Sequence, residues 1–588
     1  MAERVVIDPI TRIEGHLRIE LETANSQITK AWSETTQFRG LETILQGRDP
    51  RDAWAFVGRI CGVCTSVHAI ASINAVENAI GSNPPEQALR IRDIVLGAQE
   101  IQDHVIHFYH LHALDFVDVA ACIDADPAKA VAFAQSIGSN WKGNNLTRMT
   151  AVRDTVKSIV ESGQLSVFTN GYWGHPDYRL PPEANLMAVA HYLDALEFQR
   201  SMIRIVTVFG GKNPHPNFLV GGMACAIDPN HSESINQVQL DAVQGWINEC
   251  VDFVTNCYVP DALAIAGVYK DYFDIGAAQP DFLAVGLTGA TYAGDPANAR
   301  VKSVHTEVEP GVVHLDGDKV SVEAFDPAKI TEWASSAWYE YAEGDVGLTP
   351  DKGETTVKYT GPKPPYTAAP NDGLPWLSDN PEYTWCKAPR YDGYPVQVGP
   401  VARILLGYAR GHARTKEIVT MAAQKLGITI GQLNSTAGRT LARAAECLLA
   451  AELLANESFP TFVANLKGGD IDVFDASKWE PSSWPSQCSG YSFVEVARGN
   501  LSHWVTIENG KISRYQCVVP TTWLAGGRDA QGQQGPYEES LAGNGKHPLA
   551  DPTQPLEPLR TIHSFDPCMS CAVHVLDVDG QEMAEVLT

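Results

Sequence analysis

GRICGVCTSVHA (residues 58–69) and SFDPCMSCAVH (residues 564–574) each contain two cysteines in C-x-x-C spacing. The four cysteines are Cys61, Cys64, Cys568 and Cys571. About five hundred residues separate the two pairs. If both pairs share one site, the chain cannot fold as a series of independent domains. Its two ends must meet within one folded unit.

Paired C-x-x-C motifs have three common explanations: a structural zinc site, a dithiol redox centre or a transition-metal cluster. Zinc sites usually keep both halves within one small module that needs the metal to fold. A protein of 588 residues with a large core has no such need. Four soft thiolates in a helical core better suit a metal that does chemistry, with nickel, iron or copper as the candidates. His68 follows Cys64 by one helical turn and could donate a hydrogen bond to its sulfur, or it is an ordinary core histidine. Spacing alone leaves these alternatives open.

Composition indicates a soluble globular protein. The chain has 588 residues, of which 44% are hydrophobic and 19% charged, which is ordinary for globular domains. No run of eighteen apolar residues is present, and MAERVVIDPITRIEGH at the start has no apolar core of a secretory signal. We therefore expect no membrane span and no signal of the chain's own.

Net charge argues against a polyanionic partner. The formal charge is −26 at pH 7, whereas nucleic-acid binding depends on Lys and Arg that neutralise phosphates. The remaining cysteines stand singly and show no iron-sulfur spacing, so they are expected to be small buried hydrophobes. We predict no nucleic-acid partner.

Hydrophobic periodicity predicts a mainly α protein with small β additions (α+β), built on a bundle of long helices. One helix is predicted after Cys64 with a stop at Gly81, and a second begins with Ser82 or Asn83 as its cap and Pro84 in its first turn. Further long helices are predicted in PEANLMAVAHYLDALEFQRSMIRIV and TLARAAECLLAAELLA. Hairpins are predicted at the Asp-Gly turn of GVVHLDGDKVSVEAF and the Asn-Gly turn of WVTIENGKISRYQCVV.

Several longer motifs surround the cysteines. RGLETILQGRDPRDAWAFVGRICGVCTSVHA and SFDPCMSCAVH resemble the two signature segments of the large subunit of [NiFe] hydrogenases, most closely the membrane-associated respiratory uptake group. The resemblance extends through NGYWGHP, FGGKNPHPNF, KAPRYDG and VVPTTW, and so covers nearly the whole chain to His574. It implies the [NiFe] hydrogenase large-subunit fold, in which residues 1–574 form a single catalytic unit whose two terminal segments share the metal site.

The resemblance also implies a set of metal ligands. Cys61, Cys64, Cys568 and Cys571 would bind nickel, with Cys64 and Cys571 also bridging to an iron that carries CO and two cyanide ligands. Cys568 is cysteine and not selenocysteine, so the nickel-iron-selenium variant is not expected. Magnesium is expected at Glu42, the backbone carbonyl of Cys517 and His574. Thr521 matches a hydroxyl that hydrogen-bonds a cyanide, and His68 is expected to tune a thiolate.

The implied reaction is reversible, heterolytic cleavage of H2. A base within reach of the bound gas takes the proton. The matching groups are the thiolate of Cys568 and the guanidinium of Arg498, with Asp103 and Asp566 as carboxylates that orient it. Glu14 would relay the proton outward, a role that suits a buried carboxylate with a raised pKa.

Partners and location follow from the same resemblance. Electrons would leave through a small subunit that carries iron-sulfur clusters, in an obligate heterodimer, and then through a membrane cytochrome b to quinone. A maturation endopeptidase, acting after nickel-insertion chaperones, would remove residues 575–588. The expected location is the periplasmic face of the cytoplasmic membrane, as a peripheral subunit exported with its signal-bearing partner. The two competing interpretations are a binding protein with structural zinc and a ligand-free relative from a proton-pumping respiratory complex.

Overall fold

The computed structural model describes residues 3–163, 168, 171–294, 305, 307–353, 355–358 and 376–572. Within these residues long helices dominate, as predicted. The α-helices are α1 Leu41–Ile44, α2 Ala53–Val57, α3 Val67–Ile80, α4 Glu86–Ile106, α5 Pro127–Ser136, α6 Leu146–Ser162, α7 Pro182–Gly210, α8 Gln237–Phe253, α9 Val259–Val268, α10 Pro400–Arg410, α11 Ala413–Leu426, α12 Thr436–Leu453, α13 Phe459–Lys467, α14 Pro520–Ala525, α15 Pro536–Ala542, α16 Leu556–Ser564 and α17 Met569–Ala572.

The strands are short and antiparallel. They are β1 Glu3–Ile7, β2 Leu17–Ala24, β3 Gln27–Thr35, β4 Asp281–Ala284, β5 Thr291–Gly294, β6 Gly311–Asp316, β7 Lys319–Ala324, β8 Ile330–Trp333, β9 Tyr339–Glu340, β10 Thr356–Val357, β11 Ala388–Tyr391, β12 Gln487–Val496, β13 Gly499–Glu508 and β14 Lys511–Val518. The larger sheets have the orders β1-β2-β3, β14-β13-β12-β5 and β4-β6-β7. Both predicted hairpins are confirmed, as β6–β7 and β13–β14.

Two hydrophobic clusters form the core. The first joins the long helices, including α3, α4, α7 and α12, to the inner residues of β12 and β13. The second joins the β1–β3 meander to residues 330–348 and 377–398 and to the C-terminal helices. The cysteines Cys61, Cys64, Cys568 and Cys571 belong to the first cluster, and Met569 belongs to the second. The C-terminal C-x-x-C pair therefore lies where the two clusters meet.

The start of α4 differs from the prediction. Helix α3 ends as predicted, with Gly81 in the left-handed region at φ 72°. The next helix, however, begins at Glu86 after Pro85, and not directly after Ser82 or Asn83. Pro85 disfavours the helical conformation at Pro84, so the first helical turn is moved beyond both prolines.

No helix among the described residues is both long enough and apolar enough to cross a membrane. His574 and the predicted extension, residues 575–588, lie outside the described residues.

Candidate metal centre

Four thiols converge in the interior. The sulfur of Cys568 lies 3.5 Å from that of Cys61, 3.9 Å from that of Cys64 and 2.8 Å from that of Cys571, and the sulfurs of Cys64 and Cys571 are 3.1 Å apart. All four cysteines are free, and none is more than 5% exposed. The two distant C-x-x-C pairs therefore form one group of ligand atoms within 4.8 Å of one another.

Backbone contacts hold the two ends of the chain together at this point. Glu14, in the connection between β1 and β2, pairs with Cys568 as an isolated β-bridge, and the Met569 N–H donates to the Glu14 carbonyl at 2.8 Å. Gly15 makes the approach possible because a Cβ there would lie 2.7 Å from the backbone nitrogen of Ser570. Gly15 also has φ +79°, a region that glycine occupies at low cost.

The pKa values of the four thiols indicate that several thiolates can exist together here only with a bound cation. Burial raises the pKa of Cys64 to about 11, and burial also raises the pKa of Cys568 and Cys571 well above the ordinary range. Burial opposes ionisation of Cys61 too, but hydrogen bonds from the other three thiols outweigh it and lower the pKa of Cys61 well below the ordinary range, so one thiolate is present. Additional thiolates beside that of Cys61 would repel it and one another at these distances, unless a metal ion neutralises them. Sulfur-only donors suit a soft transition metal such as nickel or iron and do not suit calcium or magnesium. The residues present therefore fit a nickel-iron centre.

A buried guanidinium faces the thiols. Arg498, in the turn between β12 and β13, has Nη1 3.3 Å from Asp103 Oδ2 on α4 and Nη2 3.0 Å from Asp566 Oδ1. Burial lowers the pKa of Arg498, but Asp566 and Cys568 outweigh this effect, so its pKa lies well above the usual value and it stays charged. Burial raises the pKa of Asp103 to about 7. The structure thus places the carboxyl groups of Asp103 and Asp566 in ion pairs with the Arg498 guanidinium.

Glu14 contacts the same thiol group. Its Oε2 lies 3.2 Å from Cys568 Sγ and accepts a hydrogen bond from the Ser570 N–H at 2.9 Å. Burial raises the pKa of Glu14. A partly buried carboxyl with a raised pKa, in contact with a thiol, can exchange a proton with it.

A small cavity lies between the thiols and the arginine. Its volume is about 10 Å³, and its walls include Cys64, Asp103, Arg498, Thr521 and Cys568. The Thr521 hydroxyl accepts a hydrogen bond from the Cys568 N–H at 3.2 Å. A cavity of this volume holds about one water-sized molecule, which is the scale of a diatomic gas.

His68 lies beside a different sulfur from the one predicted. The sequence led us to expect a contact with Cys64, but the His68 Nε2 lies 3.4 Å from Cys571 Sγ. Burial lowers the pKa of His68 to about 4, so the ring is neutral. Its Nδ1 is 3.0 Å from Nε2 of His503, whose own Nδ1 is 2.7 Å from the Tyr515 hydroxyl.

Glu42 and Cys517 also come together. Glu42 Oε1 accepts a hydrogen bond from the Cys517 N–H at 3.0 Å, and its other oxygen accepts from the Thr355 hydroxyl. The Lys387 ammonium is 3.8 Å from Glu42 Oε2. The third predicted magnesium ligand, His574, lies outside the described residues.

Sequence reasoning missed several supporting residues. Arg443 lies 3.4 Å from Asp566 Oδ2, and the Gln99 amide donates to Asp103 Oδ1 at 2.7 Å. His503 Nε2 lies within hydrogen-bond distance of His68 Nδ1. None of these residues lies in a recognisable motif, so only the three-dimensional contacts reveal them.

Comparisons with known proteins agree with this geometry. A family model described as nickel-dependent hydrogenase matches residues 39–574, and one described as HoxL-like matches residues 4–38. The Hydrogenase-1 large chain of Escherichia coli (strain K12) is 46% identical, over 99% of this chain and 97% of its own length. The uptake hydrogenase large subunit of Rhizobium leguminosarum bv. viciae is 45% identical with the same coverage.

Solved structures show the same relationship. The Ni-Fe-Se hydrogenase from D. vulgaris Hildenborough superimposes with a TM-score of 0.72 at 30% identity, over 98% of this chain and all of that chain. The match to the nickel-dependent family argues against the structural-zinc interpretation, and the four converged thiols argue against the ligand-free one. The chain belongs to the nickel-dependent hydrogenase large-subunit family and is the catalytic subunit of a [NiFe] hydrogenase related to the uptake enzymes.

Proposed function

We propose that this subunit activates H2 in an uptake enzyme, with the proton leaving through Cys568 and Glu14 beside the charged guanidinium of Arg498. The observation that carries the proposal is the convergence of a thiol cluster and a buried guanidinium around one small cavity, with the partly buried carboxyl of Glu14 in contact with one of the thiols. Cys568 is in contact with Glu14 at 3.2 Å and lines the same cavity as Arg498.

Cys61, Cys64, Cys568 and Cys571 would hold nickel, and Cys64 and Cys571 would also hold the iron with its CO and two cyanide ligands. When bound, the centre supplies the Lewis acidity that makes H2 acidic enough to lose a proton. Thr521 lines the cavity and would donate a hydrogen bond to a cyanide, while His68 would donate to the sulfur of Cys571. Such hydrogen bonds tune a metal centre without ligating it.

The protein residues would then move the proton. Cys568 and Arg498 both line the cavity. The thiolate of Cys568 can take the proton from H2, and the charged guanidinium of Arg498 can stabilise the negative charge that develops beside it. Asp103 and Asp566 fix the guanidinium plane, because each carboxylate faces a different terminal nitrogen. Glu14 would accept the proton from Cys568 and pass it outward, which its raised pKa favours.

Magnesium would bind beside this centre at Glu42, the carbonyl of Cys517 and His574. Glu42 supports the proposal because its carboxylate is buried and already lies against the Cys517 backbone. Carboxylate and carbonyl oxygens are the ligands that magnesium prefers.

Electron transfer would need partner proteins. The relatives are a large chain and a large subunit, which supports a heterodimer with a small subunit. We propose that this small subunit carries iron-sulfur clusters and passes electrons through a membrane cytochrome b to quinone, at the periplasmic face of the membrane. Residues 1–574 would form one catalytic unit, and an endopeptidase would remove residues 575–588 after chaperones insert nickel.

Infrared spectroscopy of the purified heterodimer tests the assignment of the metal centre. The sharp stretching bands of metal-bound CO and cyanide are expected, together with an intact mass that lacks residues 575–588. A folded, processed sample without these bands would refute the metal assignment. An unprocessed chain with the bands would refute only the proposed removal of the extension.

A further inference from the structure

A second buried cavity adjoins the metal centre and shares Arg498 with the first. Its volume is about 10 Å³. Three arginines line it, Arg439, Arg443 and Arg498, and none is more than 5% exposed. Much of the remaining wall is apolar, including Phe282 and Leu524. We call this space the arginine cavity.

Each of the three guanidinium groups has a hydrogen-bond donor without a partner in the part of the chain that the structure describes. The orphaned atoms are Arg439 Nη1, Arg443 Nε and Arg498 Nε. A guanidinium has donors only, so an acceptor must come from elsewhere. A buried donor without a partner costs about 1–3 kcal/mol, and more when it is charged. A water molecule accepts only two hydrogen bonds and adds two donors of its own, so a cavity lined by three guanidinium groups, each with an unpartnered donor, favours an anion over water.

The charges around the arginine cavity also favour a bound anion. Arg498 pairs with Asp103 and Asp566, and Arg443 pairs with Asp566. Arg439 has no carboxylate partner among the described residues. Its Nε donates to the Ser564 hydroxyl at 2.8 Å and its Nη2 to the Gly276 carbonyl at 2.7 Å.

The guanidinium of Arg439 also lies over the Phe565 ring, at 3.7 Å from the centroid. Burial lowers the pKa of Arg439 to about 9. At neutral pH it therefore remains a buried cation, and such a charge is costly without a counter-ion.

We propose that the arginine cavity binds one small monovalent anion of the halide class, held by Arg439, Arg443 and Arg498. The volume corresponds to about one water-sized sphere, so sulfate, phosphate and organic acids are too large. The anion would neutralise Arg439 and would lie against the same guanidinium that faces the metal centre. This site does not depend on the metal chemistry or the proton route proposed above.

Bromide provides a direct test because it scatters anomalously and has the charge of chloride. Crystals of the complete heterodimer, soaked in bromide, are expected to show an anomalous peak in the arginine cavity within contact distance of all three guanidinium groups. A cavity with no density, or with water density and no anomalous signal, would overturn the proposal. This experiment needs no variant.

Thermal unfolding in solution provides a second test. At constant ionic strength, replacing gluconate by chloride is expected to raise the Tm of the wild-type heterodimer, because an anion bound only to the folded state stabilises it. Arg439→Met should abolish this rise, whereas Arg439→Lys should keep part of it. Arg414→Met, at a side chain that is 39% exposed, should leave the chloride response unchanged. A wild-type Tm that does not respond to chloride, or an unchanged response in Arg439→Met, would contradict the proposal.

Discussion

At the scale of single residues, the Arg498 guanidinium is the group whose shape matters most. Its two terminal nitrogens face two different carboxylates, and a lysine ammonium cannot reproduce this fork. We expect Arg498→Lys to lower the rate of H2 oxidation by about 100-fold or more, in the range found for removal of an electrostatic catalytic group, with nickel content unchanged. Dye-reduction assays and metal analysis measure both quantities. Arg414→Lys is the control, and full activity in Arg498→Lys would exclude the proposed role.

His305 gives a pH-dependent prediction away from the metal centre. Burial alone would lower its pKa, but the hydrogen bond and charge of Asp93, whose Oδ1 is 2.7 Å from Nε2, raise it to about 9. The folded-state pKa of His305 is above the unfolded value of 6.5, so the charged His305–Asp93 pair stabilises the folded protein. This contribution to the free energy of unfolding is complete below pH 6.5 and disappears as the pH rises to about 9.

We therefore expect wild type to be more stable than His305→Gln by about 3 kcal/mol at pH 6, with the difference shrinking toward zero above pH 9. Unfolding midpoints of both proteins across this pH range measure the effect. A difference that stays constant with pH would show that His305 is not charged in the folded protein.

At the scale of elements, the contact between the β1–β2 connection and the C-terminal segment limits side-chain size. A Cβ at Gly15 would overlap the Ser570 backbone, whereas a Cβ at Gly47, which has a similar φ of +77°, would have no atom of the described residues within 4 Å. Gly15→Ala should therefore lose most of its nickel and activity, and Gly47→Ala should only lose about 1 kcal/mol of stability. Nickel per heterodimer and Tm measure this. Equal nickel loss in both variants would show that backbone strain, and not the contact, is responsible.

The sequence predicts individual helices and hairpins better than it predicts the contacts between distant elements. Helix α3 and its end at Gly81 were predictable because apolar residues recur every three or four positions and glycine readily adopts positive φ. The β13–β14 hairpin was predictable from its Asn-Gly turn. The start of α4 was predicted wrongly because two consecutive prolines compete with the capping signal. The thiol residues were predictable from spacing, but the partner of His68 was not, because it depends on how α3 packs against a segment 503 positions away.

At the scale of the whole molecule, the metal centre joins positions that are 507 residues apart. A cross-link over a loop of this length removes about 6 kcal/mol of unfolded-chain entropy in the simplest model. We therefore expect the nickel-replete protein to unfold at a higher urea concentration than nickel-free protein. Fluorescence and circular dichroism in urea measure the midpoints. Cys488→Ser, outside the thiol group, should show the same nickel-dependent difference, and Cys571→Ser should lose it.

The separation of Cys61 and Cys64 from Cys568 and Cys571 also has a consequence in time. A ribosome adds about 5–20 residues per second, so the first two thiols leave the ribosome roughly 25–100 seconds before the last two are made. During that interval the N-terminal half of the centre has no partner and a free thiolate would be open to oxidation or to the wrong metal. A cell that makes this protein therefore has to protect half of the site throughout most of its translation.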